Sequence, residues 1–130
     1  MAMAATFLEK RGDWNIYSIN VDVAAGATVA SGGQIVAANA TYPHLILGCF
    51  LNANVAGTVK IVRGAATEMT GTINIAATGG FVLPRNPIIE NFVPSAAWGA
   101  TAANEAISLV TVTCTIDGIL IYATAGALSS

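Results

Sequence analysis

Charge is what this chain has least of. Aspartate, glutamate, lysine and arginine together make up 9% of its 130 residues, where a soluble domain carries about 25%. The cations Lys10, Arg11, Lys60, Arg63 and Arg85 are scattered, whereas counterion release from nucleic acid needs several of them clustered. Direct DNA or RNA binding is therefore not expected. Histidine occurs once, as His44, and cysteine twice, as Cys49 and Cys114. A zinc site needs three or four ligands, so no metal is expected, nor any other cofactor. Although 55% of the residues are hydrophobic and the mean hydropathy is +0.67, no apolar run approaches the ~20 residues of a membrane-spanning helix. Glu9, Lys10 and Arg11 follow the apolar opening where a secretory signal would place charge before it. The expected compartment is a cytoplasm, in which both cysteines stay free and buried as small hydrophobes.

So few charges cannot cover the exterior of a lone monomer, and part of the surface is expected to be buried against further copies or a larger assembly. At this length one domain is expected.

Helical periodicity is also missing, and short alternating runs stand in its place. Residues 14–23 place Tyr17, Ile19, Val21 and Val23 on one side and Asn20 and Asp22 on the other, which predicts a strand. Residues 58–63 alternate Val59 and Ile61 against Lys60. Residues 42–51 are apolar on both faces, with Leu45, Leu47, Cys49 and Leu51 on one and Tyr42, Ile46 and Phe50 on the other. Such a strand is covered twice, once by a facing sheet and once by something else, a subunit being one candidate. Gly48 inside it marks a bulge or a close backbone approach. Residues 34–38, 67–75, 81–83 and 88–93 are shorter candidates separated by Gly-Gly and Pro signals.

The strongest local signal is Asp117-Gly118 between two β-branched runs, which predicts a two-residue hairpin. In that register Val110, Val112, Cys114, Ile116, Ile119 and Ile121 form a dry face, to be met by Ile19, Val21, Leu45, Leu47, Val59 and Ile61. The threonines with Leu120 and Tyr122 form the opposite face, a candidate subunit contact. The sum is an all-β fold, an antiparallel β-sandwich or jelly roll of about eight short strands spanning 14–130. Residues 1–13 precede it as a short arm, either frayed or ordered when Phe7 and Leu8 find a groove on a neighbour. Trp98, in a loop of small residues, either caps the open end of the sandwich or anchors a partner.

No constellation for catalysis emerges. Strand parity turns His44 away from Cys49, so the dyad fails on geometry, and a satisfied core or interface histidine is expected. Glu68, Glu90, Glu105 and Asp117 are not brought into pairs by their spacing. The glycine pairs fit turns rather than a phosphate loop, and no enzyme is expected. Glu105 is placed to bond loop backbone donors near Trp98 or to stand in solvent.

Several stretches of the second half carry a resemblance: 57–64 (Gly-Thr-Val-Lys-Ile-Val-Arg-Gly), 69–73 (Met-Thr-Gly-Thr-Ile), 79–84 (Gly-Gly-Phe-Val-Leu-Pro), 98–101 (Trp-Gly-Ala-Thr), 104–109 (Asn-Glu-Ala-Ile-Ser-Leu) and 116–122 (Ile-Asp-Gly-Ile-Leu-Ile-Tyr). Together they resemble small virion proteins of tailed bacteriophages, specifically head decoration or cement proteins. The resemblance implies a β-sandwich or jelly-roll subunit, a homotrimer assembled in the host cytoplasm. It would sit on the virion, at the capsid surface, and brace the major capsid protein shell. Phe7, Leu8, Tyr42, Phe50, Trp98, Leu120 and Tyr122 are the candidate capsid or subunit contacts. The alternative is a receptor- or glycan-binding β-sandwich module of a tail or fibre, for which Trp98 and Trp14 would be the stacking aromatics.

Overall fold

A computed structural model describes residues 3–11, 13–84 and 98–125. Among them are eleven strands and no helix: β1 (Ala5–Arg11), β2 (Trp14–Val23), β3 (Gln34–Val36), β4 (His44–Ala53), β5 (Gly57–Arg63), β6 (Thr67–Glu68), β7 (Ile73–Ile75), β8 (Gly80–Leu83), β9 (Gly99–Ala100), β10 (Ile107–Val112) and β11 (Ile116–Ala125). The expected strand at 88–93 and the residues Arg85 and Glu90 lie outside the described residues.

The strands form two antiparallel sheets. The larger has the order β1-β2-β11-β4-β8, with β9 also on β4, and the smaller has β3-β10-β5-β6, with β7 also on β5. Each is dry on one side, and the two dry sides make the main core. Ile19, Val21, Val23, Leu51, Ile116 and Leu120 enter it from the larger sheet and Ile35, Val59, Ile61, Ile107 and Leu109 from the smaller. Each such aliphatic side chain contributes about 1.5–3 kcal/mol on burial. The sandwich expected from the alternation is the fold observed.

The Asp117-Gly118 hairpin is not there. Both residues lie inside β11, a central strand paired with β2 on one side and β4 on the other. The chain turns earlier, between β10 and β11, and that turn carries it from one sheet to the other. Thr113 takes a φ of 74° in the turn. The Thr115 N–H donates to Asn54 Oδ1 at 2.7 Å and the Asn54 N–H to the Thr115 carbonyl at 3.3 Å, closing the arch. Gly118 serves close packing: a Cβ there would run into the Phe50 carbonyl oxygen on β4.

The correction inverts a face. In a continuous strand, Ile116, Leu120 and Tyr122 share one side and Asp117, Ile119 and Ile121 the other. Leu120 and Tyr122, expected at the surface, are buried in the main core, and Ile119, expected in the core, is exposed. On β10, too, Thr111 points inward and Val112 outward. Thr111 Oγ1 donates to the Ala24 carbonyl at 2.7 Å and accepts the Ala27 N–H at 3.0 Å, so its polarity is matched inside;. Cys114 and Ile116 are buried as expected.

β4 is covered on both faces. Its pairing with β11 slips between Ile46 and Gly48, a bulge next to the expected glycine;. The slip changes the parity, so Ile46, Cys49 and Leu51 face the main core. Leu45 and Leu47 instead join Ile16 and Ala123 in a second cluster, against which Trp14 and Ile121 pack. The expectation had put Leu45 and Leu47 on the same face as Cys49. Residues 5–11, where no alternation signalled a strand, form β1 along β2, with a register shift between Phe7 and Glu9.

Candidate functional site

Two rows of side chains cross the outward face of the larger sheet. Direct cross-strand pairs align Asn20, Ile119, Phe50 and Val82 in one row. Asp22, Asp117, Asn52 and Gly80 make the next. Ile119 is 45% exposed, Phe50 55% and Val82 56%. Isolated exposed apolar residues are ordinary, but three large ones side by side on three paired strands form a continuous patch. Beside them runs a groove of about 250 Å³ lined by Phe50, Val82, Leu83, Pro84, Ile119 and Ile121.

Trp98 is pinned near one end of this groove. Its backbone N–H donates to the Ile46 carbonyl at 3.0 Å and its indole Nε1–H to the Pro84 carbonyl at 2.9 Å, leaving the ring about half exposed. An indole with its one donor satisfied and its ring open to solvent fits an anchor better than a cap. The loop after Trp98 is held by Glu105. Its Oε1 accepts the Ala102 N–H at 2.7 Å and Arg63 Nη1–H at 2.6 Å. These bonds, the backbone one first, hold the Glu105 carboxyl below its ordinary value of 4.5. The corner role expected of Glu105 is thus present.

The second row contains a carboxylate pair. Asp22 and Asp117 are direct cross-strand partners, and like charges so placed oppose the pairing. Desolvation first, then the Asp22 charge and its hydrogen bond, push the Asp117 carboxyl above its ordinary value of 3.8. Spacing does not reveal this pair: Asp22 and Asp117 are far apart in sequence, and an Asp-Gly turn would take Asp117 off the strand that brings them together. No group of three or more His, Cys, Asp or Glu able to hold a metal occurs among the described residues.

Of the candidate contacts, Phe50 and Trp98 lie at the groove. Phe7 and Leu8 are exposed on β1 at the far edge of the same sheet, Phe7 meeting Tyr17 edge-on at 5.8 Å. Tyr42 is half-buried beside a turn in which Asn39 Oδ1 accepts its N–H at 3.0 Å. Leu120 and Tyr122 are interior and drop out of the set. Ile119 and Val82 join it, the first hidden by the wrong hairpin register and the second by a run too short to show parity.

His44 sits elsewhere, at the end of the sandwich where β4 begins. The Ala37 carbonyl, 2.9 Å from Nε2, can only accept, so Nε2 carries the proton and Nδ1 accepts from the Thr124 hydroxyl at 2.7 Å. Burial pushes its pKa down, partly offset by the bond to Ala37. It is a satisfied histidine with both nitrogens spent.

The chain defines an all-β, two-sheet antiparallel sandwich bearing an exposed apolar row. Compared with protein-family models, with curated proteins and with solved structures, it has no match.

Proposed function

We propose that this chain is a structural assembly protein rather than an enzyme, a decoration or cement subunit that binds the outside of an icosahedral phage head as an oligomer and stabilises the shell. The observation that carries this reading is the exposed row Ile119, Phe50 and Val82 on the face of a sheet, in a chain with only 9% charged residues. A contiguous apolar patch costs solubility and is offset when a partner covers it. The partners are the major capsid protein and further copies of the chain. Attachment through several subunits amplifies a modest contact at each one by effective concentration.

The test is to mix purified protein with expanded shells that lack it. Rebinding and a higher rupture temperature are expected. The Phe50→Ser, Ile119→Ser double variant should still fold, with a thermal midpoint lowered only by the lost cross-strand pair;, and lose at least about tenfold in shell affinity. Absence of rebinding by the unaltered protein would sink the proposal.

A further inference from the structure

The two outward faces of the sandwich differ, and each has what the other lacks. The larger sheet presents Ile119, Phe50 and Val82, three large apolar side chains about half exposed. The next row carries Asp22 and Asp117, both exposed, and neither row contains a lysine or arginine. On the far side the smaller sheet is hollowed. Val59 and Ile61 enter the core, so Lys60 and Val62 of β5 point outward;, and Val110 of β10 lies directly across from Lys60. These three, with the turn residues Ala30, Ala65 and Ala66, line a cleft of about 360 Å³. That is room for side chains, since a water molecule fills only about 30 Å³.

Large side chains beside acids on one face, and a hollow of small side chains with a lysine on the other, match in shape and in sign. Lys60 Nζ donates to Glu68 Oε2 at 2.9 Å, but an ammonium has three donors and both side chains of that ion pair are partly exposed. Lys60 can therefore meet a second carboxylate. Row against row would set bulk on bulk and bring two acidic pairs into one interface, where like charges oppose association. A front-to-back contact avoids both, using a different surface on each copy.

We infer that a second copy of this chain docks its Ile119, Phe50 and Val82 row into the Lys60, Val62 and Val110 cleft of the first, with Asp22 and Asp117 beside Lys60. The inference rests on the reading of that row as a contact face, and it names the surface that covers it. Attachment to a shell through several subunits then depends on this contact, because a variant that loses it also loses multivalency.

The experiment is sedimentation of the full chain at about 100 μM. The unaltered chain should sediment as an oligomer. The Phe50→Ser, Ile119→Ser variant loses the row, and Ala66→Glu, at an exposed turn residue, fills the cleft and sets acid against acid; each should sediment as a monomer of 13.2 kDa. Mixed in equal amounts, the two should form a heterodimer of twice the 13.2 kDa of one chain, because the intact cleft of the first accepts the intact row of the second and the altered faces stop further addition. Such rescue belongs only to a contact between two different surfaces. Asp22→Asn, Asp117→Asn should associate about fivefold more weakly than the unaltered chain, with a shallower salt dependence. Unfolding midpoints measured alongside show that each variant folds. The inference is overturned if the unaltered chain is monomeric, if either face variant keeps the oligomer, if the mixture stays monomeric, or if the double asparagine variant associates undiminished. A monomeric chain that still rebinds shells assigns the row to the capsid protein, ending this inference and keeping the shell reading; an oligomer that fails to rebind does the reverse.

Discussion

His44 is where one residue's environment becomes a property of the whole chain. The neutral ring makes both of its bonds, to Ala37 and Thr124, and burial lowers its pKa from 6.5, partly offset by the Ala37 bond. The unfolded chain therefore takes up the proton first. The stability tied to His44 is complete above 6.5 and falls as the pH drops through that value, until the folded-state histidine itself titrates. Thermal midpoints measured from pH 7.5 down to pH 5 should decline, and His44→Gln should flatten that decline; an unchanged slope in the variant would refute the assignment. That this histidine would be a satisfied one was legible in the sequence, because no partner group of a catalytic kind stands near it in parity. Thr124 and Ala37 as its partners were not, since they are 80 and 7 residues away and meet it only once both sheets are assembled.

Among the elements, β2 and β5 were readable because polar residues interrupt their outer faces, Asn20 and Asp22 on β2 and Lys60 on β5, while Ile19, Val21, Val59 and Ile61 are buried opposite, so hydrophobic alternation reports which side meets the core;. β11 was misread for a physical reason. A glycine after an aspartate satisfies a tight turn, but it equally satisfies a close approach of neighbouring backbone, and local sequence does not separate the two uses. The real turn contains Thr113 at φ 74°, a conformation that β-branched residues rarely adopt, so no turn signal marked it. Once Asp117 and Gly118 were placed in a loop, every later side chain of β11 changed face, and with them the candidate contacts Leu120 and Tyr122. Gly118→Ala tests the revised role. With φ at 153° and the Phe50 carbonyl in the path of a Cβ, the substitution should cost about 2–4 kcal/mol, read as a lower urea midpoint. A hairpin position at the surface would give a much smaller loss.

For the molecule as a whole, the two cysteines report on cohesion. Cys49 belongs to β4 and Cys114 to the arch between the sheets, and both are buried, unpaired members of the main core. Burial pushes the Cys49 thiol up, which further lowers its reactivity;. A thiol reagent should therefore modify the fully buried Cys114 only as fast as the sandwich opens, at a rate that rises with urea, and a reductant should leave the unfolding midpoint where it is. Rapid labelling without denaturant would mean that the layers separate locally. The sandwich also has an outermost strand, β1, with no partner beyond it among the described residues. Its register breaks between Phe7 and Glu9. A strand approaching from outside could follow an even ladder for only part of those seven residues before the bend interrupted it. The kink at Leu8 thus leaves the sheet finite: a protein with so little charge to keep copies apart has an edge that resists indefinite growth by strand addition.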